Sequence, residues 1–105
     1  MQADDLHLSL FAAAKSSEFQ IAALTTAGTV IVELTARLVR LSPGANTRGY
    51  EQFAMTFVGP AQPLLPQGTY RFRHETLGER LLFMVPVDQD EHGTQYEVCF
   101  SRKVD

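Results

Sequence analysis

The sequence predicts a small, mainly β domain: a short N-terminal helix, then five or six antiparallel strands forming a small barrel or roll. Three observations carry that expectation. The chain has 105 residues, 45% hydrophobic and 20% charged, as in one packed domain spanning 1–105 and not in a disordered chain. Glycine and proline recur at turn spacing, at Gly28, Pro43-Gly44, Gly59-Pro60, Gly78 and Gly93. That leaves no room for the crossover helices of a parallel sheet. Between these marks, apolar and polar residues alternate with period two.

Each element has its own signal. Ser9 is placed to cap a short helix over Leu10 to Lys15, with Leu10, Phe11 and Ala14 on one side. The alternation Leu6, Leu8, Leu10 offers a short strand instead. Glu18 to Leu24 reads as a strand facing inward through Phe19, Ile21 and Ala23, and Thr25 to Gly28 as its turn. Thr29 to Ser42 is long for a strand, and its alternation slips one residue near Val39. Such a slip marks a β-bulge, and a bent, bulged strand is able to serve two sheets. Tyr50 to Val58 follows, and then a proline-rich loop from Gly59 to Gln67 that cannot be helical. Gly68 to His74 sets Tyr70 and Phe72 against Arg71 and Arg73. Arg80 to Val87 is apolar on both faces. Thr94 to Arg102 closes the domain with Tyr96, Val98 and Phe100 on one face.

Composition removes several functions. Nine basic and twelve acidic residues give a net charge of −3, which disfavours a nucleic-acid binder driven by bulk charge. One cysteine forms no internal disulfide, so a reducing compartment is expected. Asp4 and Asp5 stand where a signal peptide carries positive charge. The longest apolar run, Leu81 to Val87, falls short of the about 20 residues a spanning helix needs. A cytoplasmic protein with no membrane association is expected.

The candidate chemical sites are sparse. Asp88 to Gly93 begins like a calcium loop, but its fifth position is His92 and its twelfth is Cys99, not the bidentate glutamate. His7, His74 and His92 lack partners at metal spacing, and no metal or cofactor is expected. His74 continues the inward face of Tyr70 and Phe72 and reads as a core-edge histidine. Cys99 has no histidine base on its strand face. No phosphate loop, dinucleotide fingerprint or nucleophile elbow is present, and the chain is expected not to be an enzyme. Residues 36 to 80 carry six arginines and three glutamates. Arg37, Arg71 and Arg73 are the candidate anion-binding residues there, with solvated Arg–Glu pairing as the favoured reading.

The run from Phe53 to Phe100 contains G-P, then L-P-Q-G-T-Y, then L-F-M-V-P-V, then Y-E-V-C-F. It resembles an uncharacterised family of short bacterial all-β domains with that pattern. The resemblance implies a small β domain and no assigned activity. The element order also resembles an Sm-like barrel. The only Arg-Gly pair, Arg48-Gly49, precedes the strand starting at Tyr50, whereas the Sm signature places it later.

The leading functional reading is a non-enzymatic protein-interaction or structural module, acting as a homodimer or with an unidentified protein partner. The alternative is an Sm-like nucleic-acid-binding protein using the Arg-rich central segment. Leu82 and Met84 are the candidate interface residues, because one face of an antiparallel strand ordinarily meets water. A helix bearing Leu10 and Phe11 is the rival cover for that face. Pro86, which cannot donate to a ladder, places the strand at a sheet edge.

Overall fold

The computed structural model describes residue 11 and residues 13–43 and 50–103. Six strands follow in order: β1 (Glu18–Leu24), β2 (Val30–Pro43), β3 (Tyr50–Gly59), β4 (Gly68–His74), β5 (Gly78–Asp90) and β6 (Gly93–Lys103). They form a closed antiparallel barrel in the order β1-β2-β3-β6-β5-β4. Closure runs through β1 and β4, where Gln20, Ile21 and Ala22 pair with Arg73, Phe72 and Arg71. No helix among the described residues is long and apolar enough to cross a membrane.

The slip expected near Val39 is a bulge. The register of β2 on β3 shifts between Leu38 and Arg40. Leu38 sits at the corner: β2 pairs with β1 up to Arg37 and with β3 from Arg37 onward. The segment leading into β1 clamps that corner. Ser16 N–H donates to Leu38 O at 2.7 Å, and Leu38 N–H donates to Ser17 O at 3.1 Å. Ser16 adopts the left-handed conformation, φ 73°, which turns the chain sharply here.

A second long strand bends in the same way. β5 pairs with β4 from Gly78 to Met84 and with β6 from Val85 to Asp90, with a shift between Pro86 and Asp88. This corrects the edge placement of Pro86. The barrel is closed, and the missing proline donor is absorbed at a bulge.

The expected N-terminal helix is not supported. Leu10 and Ala12, two of its residues, lie outside the described set, as does the alternative strand from Leu6 to Leu10. No helical element stands among the described residues. Backbone bonds from Ala14 to Phe11 and from Ser17 to Ala14 close tight turns. Phe11 does not cover an outer face. It is 2% exposed, with its ring 6.4 Å from Phe19 and 6.1 Å from Phe53.

The core fills the barrel. Phe19 meets Phe57 edge-on at 5.2 Å, and Phe57 meets Phe72 at 5.2 Å. Phe11 stops one end. Leu65, from the proline-rich loop, is buried at the other. Its N–H donates to the Tyr96 hydroxyl at 3.1 Å, and the Tyr70 hydroxyl donates to Pro66 O at 2.5 Å. The L-P-Q-G-T-Y segment is thus a stopper built into the barrel wall.

Candidate functional site

The three candidate arginines lie on the outer wall, as their alternation requires. Each has a carboxylate neighbour. Arg71 reaches Glu33 at 3.2 Å, Arg73 reaches Glu79 at 3.1 Å, and Arg37 reaches Glu18 at 3.9 Å. The strand register explains this, since Ala22 lies between Glu33 and Arg71 in the ladder, Arg73 faces Glu79, and Glu18 faces Arg37. Arg71 is the most covered of the three, its side chain 14% exposed. The arrangement is a lattice of cross-strand ion pairs. Exposed pairs of this kind contribute roughly 0.2–1 kcal/mol each.

A polar cleft of about 560 Å³ opens beside the segment entering β1, lined by Ser16, Ser17, Glu18, Arg37, His74 and Glu75 among others. Ser17 Oγ and His74 Nε2 lie 2.8 Å apart there. The spacing suits a nucleophile and its base, but the other ring nitrogen decides otherwise. His74 Nδ1 accepts the N–H groups of Thr76 at 3.0 Å and Leu77 at 3.2 Å. It therefore carries no proton in the neutral ring, and the hydrogen sits on Nε2 and points at Ser17 Oγ. The Ser17 hydroxyl in turn donates to Ala14 O. His74, 7% exposed and 4.6 Å from the Phe19 ring, ties the β4–β5 turn to the chain entering β1. It is the core-edge histidine its alternation suggested.

The remaining candidates are structural in the same way. In the Asp88–Gly93 hairpin, Asp90 Oδ1 accepts from His92 N and Gly93 N, and Asp88 Oδ1 accepts from Gln89 N. These are turn bonds. Among the described residues no three histidine, cysteine or acidic side chains converge on a metal position. Cys99 is exposed, its Sγ 3.8 Å from Glu97 Oε1. Burial of the sulfur, and then the charge and hydrogen bond of Glu97, push its thiol above the ordinary value, which opposes formation of a nucleophilic thiolate.

The interface candidates are displaced by one residue. Leu82 and Met84 are 4% and 0% exposed and belong to the core. The face of β5 that meets solvent is the alternate one, with Leu81 67%, Phe83 53% and Val87 51% exposed. Because β5 is apolar on both faces, its pattern does not say which face turns inward. Pairing does, since Leu82 stands opposite inward Tyr70 and Leu81 opposite outward Arg71.

The exposed apolar residues do not stop at β5. Val30 and Ile31 at the start of β2 and Leu64 in the proline-rich loop are also exposed. These six fall within three segments, 21–32, 60–70 and 81–87, that contain no charged residue, while the seventh exposed large apolar residue, Val39, lies outside them. The fold brings these segments together. Ala22 on β1 pairs with Arg71 on β4, next to Tyr70, and β4 begins at Gly68, which stands opposite Met84. Glu33, Arg71, Arg80 and Asp88 adjoin them in the chain, and the hairpin holding Asp88, Asp90 and Glu91 lies against the proline-rich loop, where Gln89 Nε2 donates to Ala61 O at 2.6 Å. Sequence reasoning missed this surface although part of the signal was present, in three stretches that carry exposed apolar residues and no charge.

These features define a small closed antiparallel β-barrel with a filled interior, an ion-paired wall and an exposed apolar patch on β5, the start of β2 and the proline-rich loop. Residues 6–100 match the family model described as Domain of unknown function (DUF6916), and the chain belongs to that family. This agrees with the resemblance to an uncharacterised family. No curated protein and no solved structure matches the chain.

Proposed function

We propose that this barrel is a non-enzymatic interaction module and that its contact surface is the exposed apolar patch bearing Leu81, Phe83, Val87, Val30 and Ile31. The observation that carries the reading is the exposure of Leu81 and Phe83, 67% and 53%, on a barrel whose core is already complete without them. Large apolar side chains that stand together outside a complete core mark an interaction surface. Depletion of charge is the compositional mark of an interface centre.

The nucleic-acid alternative draws less support. Binding to phosphates rests on basic groups free to displace counterions, and Arg37, Arg71 and Arg73 each sit within 4.0 Å of a carboxylate. A catalytic reading lacks an activated nucleophile, since the Nε2 hydrogen of His74 faces Ser17.

The test is the elution size of the protein in a native extract, compared with a Leu81→Glu, Phe83→Lys double variant. Both side chains point outward, so the variant keeps the wild-type melting temperature. The wild type is expected in a larger assembly and the variant at its chain mass of 11.7 kDa. Elution of both at the chain mass contradicts the proposal.

A further inference from the structure

We infer that His74 is an acid-released latch, whose protonation frees the β4–β5 turn from the barrel and opens the polar cleft beside β1. The ring is held on three sides. Nδ1 accepts the N–H groups of Thr76 at 3.0 Å and Leu77 at 3.2 Å. Nε2 lies 2.8 Å from Ser17 Oγ. The ring packs 4.6 Å from that of Phe19, and the residue is 7% exposed. The same serine holds the next element, since its carbonyl accepts the Leu38 N–H at the corner of β2. A single imidazole therefore joins the turn, the chain entering β1 and the bend of β2.

Both bonds at Nδ1 use its lone pair. A second proton has only Nδ1 to take, because Nε2 already carries the hydrogen that faces Ser17. An N–H at Nδ1 then points at two N–H donors, and all three are left without an acceptor where water hardly reaches. The closed turn and the imidazolium are therefore incompatible. Histidine is the side chain that makes this change near neutral pH. The cleft, about 560 Å³, gives the ring room to swing, and Glu18 of β1 and Glu75 of the turn line it together with Arg37 of β2. The two carboxylates offer an imidazolium charge-assisted hydrogen bonds, which Arg37 opposes. Arg73 and Glu79, beside His74 on β4 and β5, pair with each other at 3.1 Å on the outer wall. The open turn is thus favoured as pH falls, and the closed turn is complete above the histidine range.

Amide hydrogen exchange of the full chain, read residue by residue by NMR from about pH 8 to about pH 5, tests the latch. Histidine free in water exchanges its proton at about pH 6.5. An open form that takes the proton there, while the closed form does not, gains about thirtyfold in population at about pH 5. The protection factors of Thr76 and Leu77 are expected to fall by about that factor. His74→Gln is expected to abolish the fall. A His7→Gln, His92→Gln variant, in which His74 is the only histidine, is expected to keep it, and decides the matter if His74→Gln does not fold. Nitrogen shifts of the His74 ring at about pH 8 are expected to show hydrogen on Nε2 alone. Protection that is equal at both ends of the range, a fall that persists in folded His74→Gln, a fall lost in the His7→Gln, His92→Gln variant, or hydrogen on Nδ1 overturns the inference.

Discussion

Single residues here act mainly through what their neighbours forbid. A Cβ built on Gly93 would lie 2.6 Å from Gly59 O, a backbone atom with nowhere to go. Gly93→Ala is therefore expected to destabilise by about 1–3 kcal/mol, the cost of overpacking, read as a lower urea midpoint at unchanged slope. Gly68→Ala, whose Cβ meets only Tyr70 ring atoms at 3.6 Å and beyond, is expected to change stability less. Cys99 gives a pH prediction. Its thiol titrates above the ordinary range, chiefly through desolvation and then through Glu97. A raised value keeps the neutral thiol, so alkylation at neutral pH is expected to be slower than for a free cysteine and to accelerate only at higher pH. Glu97→Gln removes one contribution and moves the rate profile toward lower pH. A profile for the wild type below that of free cysteine contradicts this. His74 was legible in the sequence as an inward residue at the end of its strand. Its tautomer was not, because the two N–H donors on Nδ1 come from a turn whose geometry no periodicity encodes.

Elements were legible where one face is apolar and the other polar. The bounds of β1 and β4 follow from alternation alone, Phe19 and Ile21 against Gln20, and Tyr70 and Phe72 against Arg71 and Arg73. The bulge at Val39 was legible because a slip in phase is written in residue type. β5 shows the limit. Its two faces are equally apolar, so the inward set was decided by pairing with β4, a long-range fact. Its bulge at Pro86 was read as an edge for the same reason, since a missing donor has two remedies and the sequence does not choose between them. The proline-rich loop was legible as an ordered, extended loop but not as a stopper. That role rests on Leu65 N–H meeting the fully buried Tyr96 hydroxyl. Tyr96→Phe leaves this N–H buried and unpaired, and is expected to cost about 1–3 kcal/mol in denaturant unfolding. Tyr70→Phe strips a donor from Pro66 O, where the residue is exposed and water replaces it, and the expected loss is smaller.

Across the whole molecule, charge is sorted. The wall of β1, β2, β4 and β5 away from the apolar end carries the Arg–Glu lattice through Glu18, Arg37, Arg73 and Glu79. The segments 21–32, 60–70 and 81–87 carry none, although the β5–β6 hairpin at the same end holds Asp88, Asp90 and Glu91. Net charge conceals this sorting, and a window moving along the chain sees three unrelated apolar stretches. Only closure of the barrel, with β4 returning to β1, sets them side by side. A photo-crosslinking amino acid introduced in place of Phe83, compared with the same group in place of Thr35 on the ion-paired wall, tests directly whether this end is the working surface of the protein. Irradiation in cells is expected to give a discrete adduct from position 83 and none from position 35. Adducts from both positions alike, or from neither, would contradict a contact surface at the apolar patch.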